Sequence, residues 1–248
     1  MVRDALGGAA IAVLLLGSTA EAQMLRWEDR GFLNANIGVQ ATGDDVSLDA
    51  RREVYGEEMS IQSSVDVGAG AVWDIAAGYR VWRNLAVGLG YSAFGSDSDT
   101  TAAVTIPHPL FTDQPRTGTT SASGLDHSQR ALHFVASWMI PVTDKIDVAV
   151  SAGPSLFFVE QDLVTDVAFS ETGPPFTTVN LGGPVVSNVS ESGAGFNIGA
   201  DVSYLLRPRW GVGAFMRYVG GGVSIEELDG AEIDAGGVQL GFGFRYRF

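Results

Sequence analysis

The run GGVQLGFGFRYRF, residues 236–248, decides how the rest of the chain is read. Taken at every second position it gives Val238, Leu240, Phe242, Phe244, Tyr246 and Phe248. The alternate positions are Gly237, Gln239, Gly241, Gly243, Arg245 and Arg247. Successive side chains of a strand point to opposite faces. One face is therefore apolar and aromatic, and the other is small or cationic. A soluble protein rarely ends on such a strand with a terminal Phe and nothing after it. A strand with apolar residues outside and polar residues inside suits a transmembrane β-barrel.

Seven earlier runs carry the same alternation: residues 31–42, 69–81, 85–95, 128–140, 146–159, 194–206 and 210–219. In the sixth, Phe196, Ile198, Ala200, Val202, Tyr204 and Leu206 oppose Gly195, Asn197, Gly199, Asp201 and Ser203. One alternating run marks any half-buried strand. Eight in succession, each about 10 residues or longer, match what a tilted membrane strand needs. The connections alternate too. Residues 82–84, 141–145 and 207–209 are short, whereas 43–68, 96–127, 160–193 and 220–235 are long. With the N-terminus inside, the long loops share one rim and the turns the other. The expected architecture is all-β: an eight-stranded antiparallel up-and-down transmembrane β-barrel with short periplasmic turns and four long extracellular loops.

The first residues read as a secretory signal over 1–22, with Arg3, an apolar stretch over 9–16, and Ala20-Glu21-Ala22 as the cleavage site. Spanning takes about 20 apolar residues, so this stretch is too short for an anchor. Residues 23–30 then form a periplasmic lead-in with Trp27 as its one large residue, and the barrel occupies 31–248. The net charge of −14 argues against nucleic acid as a partner. The absence of cysteine excludes disulfides and thiolate chemistry. Acidic residues crowd the long loops, among them Asp44, Asp45, Glu226 and Glu227. The short turns carry Arg83, Lys145, Arg207 and Arg209. Trp82, Trp138, Trp210, Tyr246 and Phe248 fall near the turn rim, where an interfacial aromatic girdle belongs.

The hairpin GYRVWRNLAVGLGY (residues 78–91), the signal ending Ala20-Glu21-Ala22 and the closing GFRYRF resemble small eight-stranded outer-membrane barrels of the OmpW, opacity-protein and OmpX type. These belong to the broad outer membrane protein β-barrel domain superfamily. The resemblance covers nearly the whole mature chain and implies an outer-membrane location. It also implies that barrel-assembly machinery reads the last strand through Phe248. It is specific to architecture, because such barrels include adhesins, small channels, structural proteins and enzymes.

Charged positions on the small-residue faces are Asp74, Asp201, Arg217 and Arg245. Charges withdrawn from water must be paired, and the interior of an eight-stranded barrel is about filled by side chains. These residues are expected to form an interior polar network with a structural role, and pairing across residues 207–209 places Asp201 diagonal to Arg217. A gate or solute path through that network is the functional alternative. His133 is expected in the lumen beside Gln129 and Ser137, and His108 in a stiff loop, Ile106-Pro107-His108-Pro109. His127-Ser128 resembles the pair used by lipid A deacylase barrels, but adjacent residues point to opposite faces and no acid partner is evident. No catalytic, cofactor or metal residue is assigned. The acidic loops are either a solvated rim or carboxylate oxygens for divalent cations that bridge to lipopolysaccharide phosphates.

The expectation is a non-enzymatic integral outer-membrane barrel in contact with membrane lipids and lipopolysaccharide. It would have a structural or surface-interaction role, or pass small or apolar solutes through a narrow channel or side opening. A deacylase-like barrel enzyme is the alternative, followed by a soluble lipocalin-like barrel. The last would turn Phe196, Ile198, Val202, Phe242 and Phe244 inward.

Overall fold

The computed structural model describes residues 27–41, 45–66, 68–225 and 231–248. The signal and cleavage site, Asp44, Glu226 and Glu227 lie outside the described residues. The strands are β1 (Gly31–Ala41), β2 (Asp45–Val54), β3 (Glu57–Asp66), β4 (Gly70–Trp82), β5 (Leu85–Ile106), β6 (Arg116–Pro141), β7 (Ile146–Glu171), β8 (Val179–Arg207), β9 (Trp210–Ile225) and β10 (Ala231–Arg247). Eight of them close a ring in the order β1, β4, β5, β6, β7, β8, β9, β10 and back to β1, every neighbour antiparallel.

The final strand closes the ring as its pattern predicts. Tyr246 pairs with Leu33 and Trp210, and Phe242 pairs with Ile37 and Ala214. The carbonyl of Phe248 accepts from the backbone N–H groups of Arg30 and Gly31, at 2.6 and 2.9 Å. Phe196, Ile198, Val202, Phe242 and Phe244 all face outward, with Phe242 68% exposed. A soluble barrel would have to bury these side chains, so this outward apolar belt fits lipid. At the turn rim the rings of Trp210 and Tyr246 lie 4.5 Å apart, and those of Tyr246 and Phe248 6.1 Å apart.

The long loops are where the structure departs from the expected picture. Residues 43–68 contain a hairpin, β2–β3, turned by Tyr55 and Gly56 at φ 53 and 80. Two left-handed residues give the turn whose twist matches the strands it joins. β3 then pairs with the distal half of β5. Strands β5 to β8 run on through what the alternation pattern assigned to loops.

The cause is visible along β5. Near the periplasm its outward residues are Val87 and Leu89, and its buried ones include Ala86 and Ser92. Further out Asp97, Asp99, Thr101 and Ala103 face outward, while Ala102, Val104 and Ile106 are buried. The period of two continues but the chemistry of the faces reverses, because the strand leaves lipid for water. Above the membrane the strands surround an apolar core built from Met59, Ile61, Val65, Ala102, Val104, Ile106, Leu125, Val164 and Val167. We call this part the crown.

On β6 the reversal also requires a correction of face. Ser98 pairs with Leu125 and Thr100 with Ala122, so Asp99 opposes both Ser123 and Gly124. This β-bulge shifts the inward set from even positions above it to odd positions below it. Gly124 takes φ 67, and its N–H donates to Asp99 Oδ1 at 3.2 Å.

Candidate functional site

The lumen is filled in layers. At the periplasmic mouth lies Trp27, whose backbone N–H donates to Asn84 Oδ1 at 3.2 Å. Asn84 Nδ2 donates to the carbonyl of Met139 at 2.8 Å, and Arg80 Nη1 donates to the carbonyl of Trp27. Trp27 packs with Phe32, Ala86 and Met139, and the Arg247 guanidinium sits 5.2 Å from its ring centre. Arg247 pairs with Asp147 at 3.2 Å and donates to Ser203 at 3.1 Å.

The next layers hold the four charged residues expected inside. Arg245 is wholly buried and reaches Asp201 through Nε at 3.1 Å and Nη2 at 2.5 Å, with Asn36 Oδ1 at 2.6 Å from Nη1. Arg217 pairs with Asp74 at 2.9 Å and donates to Gln239, which in turn donates to Gln40 at 2.6 Å.

The expected diagonal contact between Asp201 and Arg217 is therefore replaced by two other pairs. The register does set Arg217 diagonal to Asp201, with Asp201 opposite Phe215 and Arg217 opposite Gly199, but each side chain takes another partner. Gly213 on β9 leaves room for Arg245 to cross from β10 to β8. A Cβ on Gly213 would lie 2.6 Å from Arg245 Nε and 2.6 Å from the Val202 carbonyl. Gly213→Val is expected to displace this guanidinium and destabilise the barrel by about 1–3 kcal/mol, the range for overpacking. Urea unfolding from detergent micelles measures it, and an unchanged midpoint would show that Arg245 has another seat.

Above the ion pairs His133 lies between two hydroxyls, Ser92 Oγ at 2.9 Å and Ser155 Oγ at 2.8 Å, with Asn197 donating to Ser155 at 2.9 Å. These serines, and not Gln129 and Ser137, are its hydrogen-bond partners. The next layer is apolar: Ala131, Phe157, Val159, Val219 and Ala235. The chamber left between the layers has a volume of about 70 Å³ and is lined by Asn34, Asn36, Asp74, Asn197, Asp201 and Arg217 among others. That is room for about two water molecules.

His127 and Ser128 do not form a reactive pair. His127 is buried against Phe94, with Gln161 Oε1 at 2.5 Å from Nδ1, and Ser128 is half-buried at the alternate position. No carboxylate contacts this imidazole among the described residues. His108 ties loops together: its Nδ1 accepts from the N–H groups of Leu110 and Phe111, and Nε2 lies 3.3 Å from the Pro175 carbonyl.

The crown tip has an ion pair that sequence reading missed. Arg116 Nη1 and Nη2 hold the Glu171 carboxylate at 2.5 and 2.8 Å, and Arg116 Nη2 also donates to the Pro107 carbonyl at 2.7 Å. The Tyr55 hydroxyl donates to Glu171 at 3.1 Å. The hairpin turn and two loops thus converge on one carboxylate. Hydrogen bonding to Arg116 holds the Glu171 acid below its ordinary value of 4.5. A carboxylate lowered in the folded state contributes stability above its unfolded value, and that contribution is lost as pH falls through the folded one. Amide protection of residues 107–115 and 172–178 should therefore fall as pH is lowered below the ordinary glutamate value of 4.5. Glu171→Gln should show the lower protection already at pH 6 and lose the pH dependence. Equal pH dependence in both forms would remove Glu171 from this role.

The outer face of the crown is acidic. Asp97 pairs across strands with Asp126, whose N–H donates to Asp162 Oδ2 at 3.3 Å. Asp162 in turn accepts from Asn188 Nδ2 at 2.9 Å. A hydrogen bond that the protonated Asp126 donates to Asp97, together with desolvation and the neighbouring charges of Asp97 and Asp162, raises the Asp126 acid above the ordinary carboxylate value.

The family model for the outer membrane protein beta-barrel domain matches residues 9–248. Among solved structures, Neisserial surface protein A aligns at 16% identity over 88% of this chain and 97% of its own, with TM-score 0.49. Outer membrane protein W of Escherichia coli aligns at 17% identity over 89% and 98%, with TM-score 0.33. The outer membrane protease OmpT of Escherichia coli aligns at 7% identity over 92% and 99%, with TM-score 0.47. No curated protein matches the sequence.

Proposed function

The chain belongs to the family of the outer membrane protein β-barrel domain and resides in the outer membrane, and from that premise we propose that it is a non-enzymatic surface-contact protein. The crown carries this reading. Four barrel strands leave the membrane as a folded β-structure with its own apolar core, while the lumen beneath is filled. Building a packed core outside the membrane offsets the ordering of a large segment. That ordering serves a rigid presented surface and serves a pore little. The lumen supports the same reading, since three arginine–carboxylate pairs and the apolar layer at Phe157 occupy it. Catalysis receives no support from His127, whose imidazole is in hydrogen-bond contact with neither a carboxylate nor a hydroxyl among the described residues.

The test has two arms. The purified chain in planar bilayers should give no stepwise conductance. Cells displaying it should attach to protein-coated surfaces more than cells lacking it. A variant with β5 to β8 shortened to the membrane edge should lose the attachment while keeping its heat-modifiable migration. Steady single-channel steps without any attachment effect would overturn the reading in favour of a solute path. The last strand and its terminal Phe248 would serve assembly, as the resemblance implies, with lipid and lipopolysaccharide around the belt.

A further inference from the structure

The apolar belt is interrupted on the face formed by β5, β6 and β7. One row across it runs Val87, Ala136, Ala152, Ile198, each residue paired with the next and all four pointing outward. Two alanines stand side by side where the neighbouring rows carry bulk: Leu89 and Phe134 above, Trp138 and Val150 below. The result is a notch of about 470 Å³ that opens to lipid and is walled by Val87, Leu89, Phe134 and Pro154. The backbone holds its shape. The β6–β7 ladder pairs His133 with Ser155 and resumes at Ala136 with Ala152, leaving out Pro154, which has no N–H. Backbone groups at membrane depth must find partners within the protein. Asn197 Nδ2 reaches from the lumen to the carbonyls of Gly153 and Pro154, at 3.0 and 3.3 Å.

The turns beneath this face carry unpaired charge. Arg83, in the turn before β5, and Lys145, in the turn before β7, are both exposed and flank the lower end of β6. Neither forms an ion pair among the described residues, although Asp144 shares the second turn. The Arg83 guanidinium lies 4.9 Å from the ring centre of Trp82, in the aromatic girdle. Ala136 stands about 17 Å along β6 from Pro141 at the turn, hence about 13 Å deep at the usual strand tilt, within the roughly 15 Å half-thickness of the hydrocarbon core.

We propose that this face binds one anionic phospholipid of the leaflet at the turn rim, its phosphate between Arg83 and Lys145 and one acyl chain in the Ala136–Ala152 notch. This goes beyond the surface-contact reading and does not depend on it. Each half of the site selects one half of the ligand. Cations at a membrane surface attract anionic headgroups, and a girdle aromatic sits at headgroup level. A chain in the notch touches walls on several sides, where a chain lying on a flat belt touches one, so it gathers more dispersion contacts. A second copy of the chain suits the site less well. Inserted in the same direction, it would bring its own cationic turn rim against Arg83 and Lys145, and like charges repel.

The probes are phosphatidylglycerol and phosphatidylcholine with identical chains, titrated separately into the full chain in neutral detergent and read by native mass spectrometry. Phosphatidylglycerol should add first as a single molecule, preferred over phosphatidylcholine at least about fivefold, as two surface cations allow. Arg83→Gln/Lys145→Gln should erase that preference. Ala136→Leu/Ala152→Leu fills the notch and should cut the one-lipid adduct at least about fivefold for both lipids. Ala214→Leu, outward on β9, should leave the adduct unchanged. Heat-modifiable migration shows that each variant is folded. Equal retention of both lipids by the parent, or an adduct that survives the filled notch, would overturn the proposal. So would a parent dimer that the filled notch converts to monomer, because the occupant would then be a second copy.

Discussion

Arg245→Met is expected to destabilise the barrel by about 3–5 kcal/mol, the range for breaking a buried ion pair from one side. The side chain has no exposure and makes its closest contacts with Asp201 and Asn36. Methionine fills most of its volume, so the loss comes from charge and hydrogen bonding and little from packing. Asp201 would be left inside the lumen with the Ser203 hydroxyl, at 2.9 Å, as its remaining hydrogen-bond partner among the described residues and with Arg247 as the nearby charge. Removing both charges, Arg245→Met/Asp201→Asn, should recover more than half of the loss, because an uncompensated buried charge costs more than an absent pair. Unfolding in urea from micelles gives both numbers. A single variant as stable as the parent would mean that water reaches Asp201 and that the layer is no seal.

Phe242→Arg should be nearly as damaging for the opposite reason. Phe242 faces outward on the closing strand, and its 68% exposure is exposure to lipid. Arginine near the bilayer midplane of a barrel costs about 2–4 kcal/mol. The paired control is Ala103→Arg on β5, also outward but on the crown. There the side chain meets water, and the change should stay within about 0.5 kcal/mol, as surface substitutions do. Assembly into vesicles, read by heat-modifiable migration, should drop for the first and hold for the second. Equal tolerance at both positions would place the membrane boundary elsewhere than the reversal of faces puts it.

That reversal also marks what could be read in advance. The eight membrane strands were legible because lipid demands one chemistry on every outward position, and each run repeats it. The crown was not. Its strands keep the period of two, but Val104 and Ile106 are buried where, lower on the same strand, Ala86 and Ser92 are buried. A pattern tuned to lipid outside reads such a stretch as loop. The acids that crowd it fit the same loop reading. The Arg116–Glu171 pair escaped notice for a related reason, since its partners are separated along the chain and meet only because β5, β6, β7 and the hairpin converge.

Within the lumen, parity places the charges but does not pair them. Asp74, Asp201, Arg217 and Arg245 were inward by parity alone. Which acid meets which arginine depended on register and on where glycine clears a path. Gly213 lets Arg245 cross β9 to Asp201, which leaves Arg217 to span the lumen to Asp74.

By itself, then, the sequence determined a membrane barrel closed by residues 236–248, because alternation and hydropathy act locally, residue by residue; its outer-membrane home follows from the family it belongs to. Tertiary structure alone decided the ion pairs and the crown, because those depend on which strands lie side by side once the ring has closed.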